Sequence, residues 1–354
     1  KYRLLLLVSL FFMSLGAFVG SFEECVPLVP IAVALAYSLG WDALVGLGMS
    51  LLAVGFGFST GVVNPFTVGV AQQLVGLPMF SGIWMRLVTF ALIYGLLIAF
   101  LIPYAKKIEK TPSKSMIYDP SMTQRWASLR TDYVEDKKKD RALIWFAAVL
   151  GTGILLILCS SFVPFLQEII MPLIAVIFLV AGTVSSLVSG MCLRAYLKSF
   201  GKGMVNILPA VLLILMANSI RYTMTESKIL DTILFKTVQL TQNASSGVVV
   251  LMIYALALVL ELFISSGSAK AFLLMPLIAP IADLSGISRQ IAVLAYAFGD
   301  GFSNVFYPTN PVLLISLGIV GIGYGKWFKW SAKIQLAVLA LTSALLLFAN
   351  AIGY

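Results

Sequence analysis

Residues 261–311 read ELFISSGSAKAFLLMPLIAPIADLSGISRQIAVLAYAFGDGFSNVFYPTNP. The stretch is apolar enough to lie in a bilayer, yet Ser266-Gly267-Ser268, Asp300 and Pro308-Thr309-Asn310-Pro311 interrupt it. Lipid cannot satisfy free backbone N–H and C=O groups, so irregular backbone at membrane depth persists only where it lines a cavity or is buried in protein. Two such breaks so close together are the pattern expected of a transporter's binding site.

Composition sets the class. Of 354 residues 60% are hydrophobic and 11% charged, and the mean hydropathy is +1.00. This is the composition of an all-α polytopic membrane protein whose main partner is the lipid bilayer. The net charge of +9 sits mostly in loops, which points to membrane topology and away from nucleic acid. Cys25, Cys159 and Cys192 lie in or beside apolar runs without CxxC spacing and read as small hydrophobes. The chain has no His, the commonest general base and metal ligand. It also lacks HExxH, GxSxG and Walker A patterns, so neither an intramembrane enzyme nor direct use of ATP is indicated, and no cofactor is expected.

A helix needs about 20 apolar residues to cross a bilayer. Ordinary spans fit 4–22, 83–103, 142–162, 164–187, 204–220, 247–265 and 331–352. Two segments, 27–39 and 271–282, are only 13 and 12 residues long and each follows a small polar tip. Both read as the returning arms of re-entrant hairpins, with tips at 20–24 and 265–268. Two others, 43–76 and 291–325, are too long for one simple helix, and each is broken near its middle by proline, at Asn64-Pro65 and at Thr309-Asn310-Pro311.

These features recur at a nearly constant offset. Gly20 to Gly267 is 247 residues, Pro65 to Pro311 is 246, and Ile83 to Trp330 is 247. Hairpin, broken helix and closing span therefore occur twice. The loop 104–141 carries ten Lys/Arg against six Asp/Glu, which assigns it to the cytoplasm. Tracing the spans from that loop puts the mouths of the two hairpins on opposite sides, an inverted repeat. The chain then divides into 1–82 (first hairpin and broken helix) and 83–141 (closing span and basic loop). After these come 142–246 (scaffold spans with an outer interfacial helix at 226–241), 247–325 (second hairpin and broken helix) and 326–354 (closing span). The second hairpin is preceded by three spans that the first lacks, so matching N-terminal spans are expected ahead of residue 1.

The segments FEECVPLVP, SLGWDALVG, GVVNPFTVGVAQ, SSGSAKAFLLMP, IAPIADLSGISRQ and AFGDGFSN…PTNP resemble the YfcC-type carriers of the anaerobic C4-dicarboxylate carrier group, in the ion-transporter superfamily. The resemblance covers nearly the whole chain. It implies two inverted repeats, a scaffold domain that forms a homodimer, and a transport domain that moves like an elevator. It also implies a substrate that is either a basic amino acid or a C4-dicarboxylate, and a bacterial cytoplasmic membrane location. Lys270 departs from the small or uncharged residue expected just past the second tip.

The candidate site is drawn from tips and breaks. Ser21, Ser266, Gly267 and Ser268 offer hydroxyls and a helix start whose free N–H groups favour a carboxylate. Glu23, Glu24 and Asp300, ionisable at membrane depth, suit a cationic side chain or a coupling ion. Lys270 either binds a substrate carboxylate or neutralises one of those acids. Glu261 and Asp283 read as structural, and Asp42 and Arg289 as interfacial. Asn64, Pro65, Thr309 and Asn310 supply amides, a hydroxyl and unpaired carbonyls, and Asn304 shares the face of Asp300. Such oxygen ligands suit a hard cation, so a Na⁺ near Asn64, Ser266, Thr309 and Asn310, or a proton, is the expected coupling ion. Three or four acids against one lysine favour a small-molecule substrate with an extra positive charge, arginine or ornithine, over a C4-dicarboxylate. Hairpins that differ at their tips suit gated exchange better than an open channel.

Overall fold

The computed structural model describes residues 1–118, 137–160, 170–241 and 244–354. Among these the chain is helical, with no strand. The centre of the expected cytoplasmic loop (119–136) and the junction of two expected spans (161–169) lie outside the described residues.

Helix α1 (Tyr2–Ser14) runs through a widened turn at Leu15–Val19 and ends at Gly20, whose φ of 77° only glycine adopts without strain. The chain then returns through a tight helical turn at Glu23–Leu28 into α2 (Val29–Ser38). The next rod starts where Asp42 accepts the Val45 N–H at 3.0 Å. It consists of α3 (Ala43–Leu47), a wide turn at Gly48–Leu52, and α4 (Ala53–Thr60). After a break it resumes through Pro65–Gly69 as α5 (Val70–Leu74), and α6 (Ile83–Lys110) follows. The middle of the chain holds α7 (Lys137–Ser160), α8 (Ile170–Val188), α9 (Leu193–Glu226) and α10 (Ile229–Thr241). The last part holds α11 (Ser246–Glu261), α12 (Gly267–Leu284), α13 (Arg289–Gly301), α14 (Pro311–Val320) and α15 (Tyr324–Ala351).

Five stretches among the described residues are long and apolar enough to cross a membrane: Tyr2–Val19, Ala43–Leu74, Ile83–Lys110, Gly267–Leu284 and Tyr324–Ala351. Helices α6 and α15, 28 residues each, exceed a hydrocarbon core about 30 Å thick and must tilt or project from it. The returning arm of the second hairpin is longer than the expected 271–282, because α12 has 18 residues. Counting apolar residues stops at Lys270. The helix instead starts at the Ser266 cap and carries Lys270 inside with its charge paired.

The two broken helices form the core. Every residue from 41 to 62 is buried, and so is every residue from 291 to 301. Helix α4 packs on α1, α6 and α13, and α13 packs on α11, α12 and α15. Lipid tails are as apolar as the side chains, so close backbone contact rather than hydrophobic burial holds such helices together. Small residues mark the crossings. A Cβ on Gly57 would lie 1.9 Å from the Met13 carbonyl oxygen, and one on Gly299 would lie 2.9 Å from that of Tyr254.

At both breaks an asparagine takes over the orphaned N–H groups of the resumed helix. Asn64 Oδ1 accepts from the N–H of Phe66 at 2.9 Å and of Thr67 at 3.3 Å. Asn310 Oδ1 accepts from Val312 at 3.0 Å and Leu313 at 3.3 Å. The buried Arg86 ties the first break to its surroundings, donating to the carbonyls of Val62, Ser81 and Phe80 at 3.1, 2.9 and 3.0 Å. Asp42, expected at the interface, is buried, because Tyr104 and Ser115 donate to its carboxylate at 2.8 and 2.6 Å. Arg289 keeps an exposed ion pair with Asp283 at 2.6 Å and also donates to the Val75 carbonyl at 2.7 Å.

Candidate functional site

The site is built where the hairpin tips meet the breaks. A Cβ on Gly20 would come within 2.5 Å of Asn64 Oδ1, so the first tip sits directly on the first break. A Cβ on Gly267 would lie 2.8 Å from Thr67 Cγ2 and 2.9 Å from Asp300 Oδ2, so the second tip is wedged between both broken helices. The two tips thereby line one cavity of about 300 Å³. Gly20, Phe22, Glu23 and Glu24 come from the first tip and Ser265, Ser266, Gly267 and Ser268 from the second; Phe58, Phe66 and Asn304 complete the wall.

The polar groups on this wall are complementary. Glu24 accepts from the Phe22 N–H at 3.0 Å, which fixes the tip while leaving carboxylate oxygen for a ligand. Ser266 Oγ lies 3.5 Å from the Ala269 N–H as the cap of α12, and the remaining N–H groups of that first turn suit an anionic group. The Tyr296 hydroxyl donates to the Gly267 carbonyl and pins the tip from behind. Asn304 Nδ2 donates to the Asp300 carbonyl at 2.9 Å, and its Oδ1 accepts from Asn310 Nδ2 at 2.6 Å.

Of the sequence-derived candidates, Glu23, Glu24, Ser266, Gly267, Ser268 and Asn304 share the cavity. Ser21, Asn64, Pro65, Lys270, Asp300, Thr309 and Asn310 are not on its wall. Both lone pairs of the Asn64 and Asn310 amide oxygens are engaged by capped N–H groups, so neither oxygen is free for a sodium ion without opening a cap. Thr309 keeps a buried hydroxyl with no partner among the described residues.

Lys270 is turned away from the cavity. Its Nζ lies 2.8 Å from Asp300 Oδ1 and contacts Glu261, and none of the three side chains is more than 1% exposed. Of the two uses expected of Lys270, the geometry is that of charge neutralisation, with Asp300 as one partner. Glu261, read from sequence as structural, is the other. The sequence-derived set also omits Gly20 and Ser265, at the tips, and Phe22, Phe58 and Phe66 on the wall. Phe22 lies within the first tip and Phe66 beside the first break, and that position is the only signal they carry; Phe58 looks like any residue of a buried span.

The DcuC family, described as the C4-dicarboxylate anaerobic carrier, matches residues 1–351. A relative in Escherichia coli (strain K12), which carries the provisional name of basic amino acid antiporter YfcC, is 29% identical over 359 residues, covering 96% of this chain and 68% of the relative. An uncharacterised protein of Haemophilus influenzae is 28% identical over 351 residues, covering 98% of this chain and 67% of its own length. The crystal structure of the Alcanivorax borkumensis YdaH transporter shares the fold with a TM-score of 0.54 at 19% identity, over 99% of this chain and 78% of that one. The chain belongs to the C4-dicarboxylate anaerobic carrier family, and with its series of apolar helices it is a multi-pass membrane protein of a transporter family.

Proposed function

We propose that this protein is a secondary carrier of the bacterial cytoplasmic membrane that exchanges basic amino acids such as arginine and ornithine by alternating access. The observation that carries this reading is the cavity shared by both hairpin tips. A substrate carboxylate is received by Ser266, Ser268 and the free N–H groups that open α12, and a cationic side chain by Glu23 and Glu24. Lys270 is matched by two acids of its own, so the wall facing the solute is net negative, which favours a positively charged solute. The family description favours a second reading, a C4-dicarboxylate carried with Na⁺ or H⁺.

Alternating access rests on an inverted repeat, and paired contacts at an offset of 246 support it. Asn64 caps Phe66 and Thr67 as Asn310 caps Val312 and Leu313, and Asp42 caps Val45 as Ser288 caps Ile291. Gly55 packs on Val305 while Gly301 packs on Ser59, a reciprocal pair of the kind a two-fold axis generates. Phe56 and Phe302, at the same offset, meet ring to ring at 5.6 Å, which supports a pseudo-axis between them. In this reading residues 1–82 and 247–325 move as one transport unit against the scaffold of a homodimer, like an elevator. Reconstituted vesicles test it: saturable counterflow of labelled arginine or ornithine is expected. Ohmic current without saturation sinks the carrier reading, and counterflow of dicarboxylates alone selects the second substrate.

A further inference from the structure

Behind the second tip, solute binding leaves a lysine and two carboxylates unaccounted for. Lys270 Nζ is 2.8 Å from Asp300 Oδ1 and in contact with Glu261, and all three groups are shut off from solvent. They come from three elements: Glu261 ends α11, Lys270 lies in the first turn of α12, and Asp300 lies in the last turn of α13. The C-terminal ends of α11 and α13 meet here, and the negative ends of their dipoles favour a cation. The cation there is the lysine ammonium.

Its charge balances only one of the two carboxylates and leaves one negative charge uncompensated. An uncompensated charge at such a depth is strongly unfavourable, and one proton on either carboxyl removes it. Among the described residues the surroundings offer no second positive charge. The facing titratable groups are Tyr296, bonded to the Gly267 carbonyl, and Glu23 of the first tip, which repels Asp300. The Pro65–Gly69 turn, α4 and α5 pack here without an ionisable residue, and Lys326, Lys329 and Lys333 of α15 are exposed. Gly267 is wedged between Asp300 and buried Thr67, whose hydroxyl has no partner among the described residues. Lifting the tip therefore opens Asp300 to the cavity.

We propose that Glu261, Lys270 and Asp300 form a proton-binding site in which the lysine ammonium replaces an exchangeable metal cation, so that transport responds to protons and is indifferent to sodium. The proton passes between cavity water and a carboxylate oxygen, and only that O–H bond forms or breaks. The inference rests on reading the second tip as part of a carrier site.

The full-length protein is tested in two ways. In detergent, its thermal unfolding is followed as sodium chloride replaces choline chloride. In vesicles, labelled-arginine counterflow is followed across pH in both salts. Sodium is expected to leave the wild-type unfolding temperature and rate unchanged. Counterflow should fall as pH rises and the proton leaves, and Glu261→Gln, which leaves a neutral Lys–Asp pair, should flatten that profile. Lys270→Ala vacates the ammonium's place between two acids and should acquire a sodium-dependent rise of several degrees, the signature of a ligand bound only by the folded state. Saturable sodium stabilisation of the wild type overturns the proposal, as does a Glu261→Gln profile that overlays the wild type. Loss of all counterflow overturns the carrier reading instead, and the sodium titration in detergent then judges the triad alone.

Discussion

Lys270 shows how much one residue can cost when its partners go. Removing one member of a buried ion network leaves uncompensated charge, worth about 3–5 kcal/mol. Lys270→Met is therefore expected to lower the unfolding temperature sharply, and the triple change with Glu261→Gln and Asp300→Asn to restore most of it, because no bare charge remains. A triple variant as unstable as the single one would show that shape rather than charge holds the site. The asparagine caps act more locally. Asn64→Ala should cost about 1–2 kcal/mol, the usual worth of an N-cap. Asn310→Ala should cost more, since its second bond, to Asn304 Oδ1, is 2.6 Å long, whereas the second bond of Asn64, to the Phe58 carbonyl, is 3.3 Å. Equal losses in the two variants would contradict this.

Among elements, the broken helices carry the architecture, and their glycines are the sensitive points. A Cβ on Gly57 would press 1.9 Å from the Met13 carbonyl oxygen, so Gly57→Val should cost at least about 3 kcal/mol by forcing α1 and α4 apart. Gly95 on α6 has open space around it, and Gly95→Ala should be neutral or gain up to about 1 kcal/mol. Thermal unfolding of the two purified variants separates them, and similar losses in both would remove the packing argument. The breaks are legible in the sequence, because proline deletes a backbone donor and the asparagine beside it can cap the helix that resumes. The tips are legible too, because a small polar cluster at membrane depth is costly unless it lines a cavity. The link from Glu261 to Lys270 is not, since it spans a hairpin turn and follows no helical period. Nor is the length of α12, because a neutralised lysine looks in sequence like the end of an apolar run.

For the molecule as a whole, the central claim is that solute is held between the two tips. Glu23 and Glu24 on one side and Ser266 and Ser268 on the other face a single space of about 300 Å³, with Phe22, Phe58 and Phe66 walling it. A volume of that size suits a small metabolite, and its charge suits one with a cationic side chain. The most direct measurement is ligand-dependent thermal stabilisation of the purified protein by arginine, ornithine and C4-dicarboxylates, repeated in Glu24→Gln and Ser268→Ala. The account predicts a saturable rise in unfolding temperature with arginine or ornithine in the wild type, and at least a tenfold loss of apparent affinity, about 1.4 kcal/mol, in each variant. Wild-type affinity retained in both variants would contradict it and move the solute away from the tips.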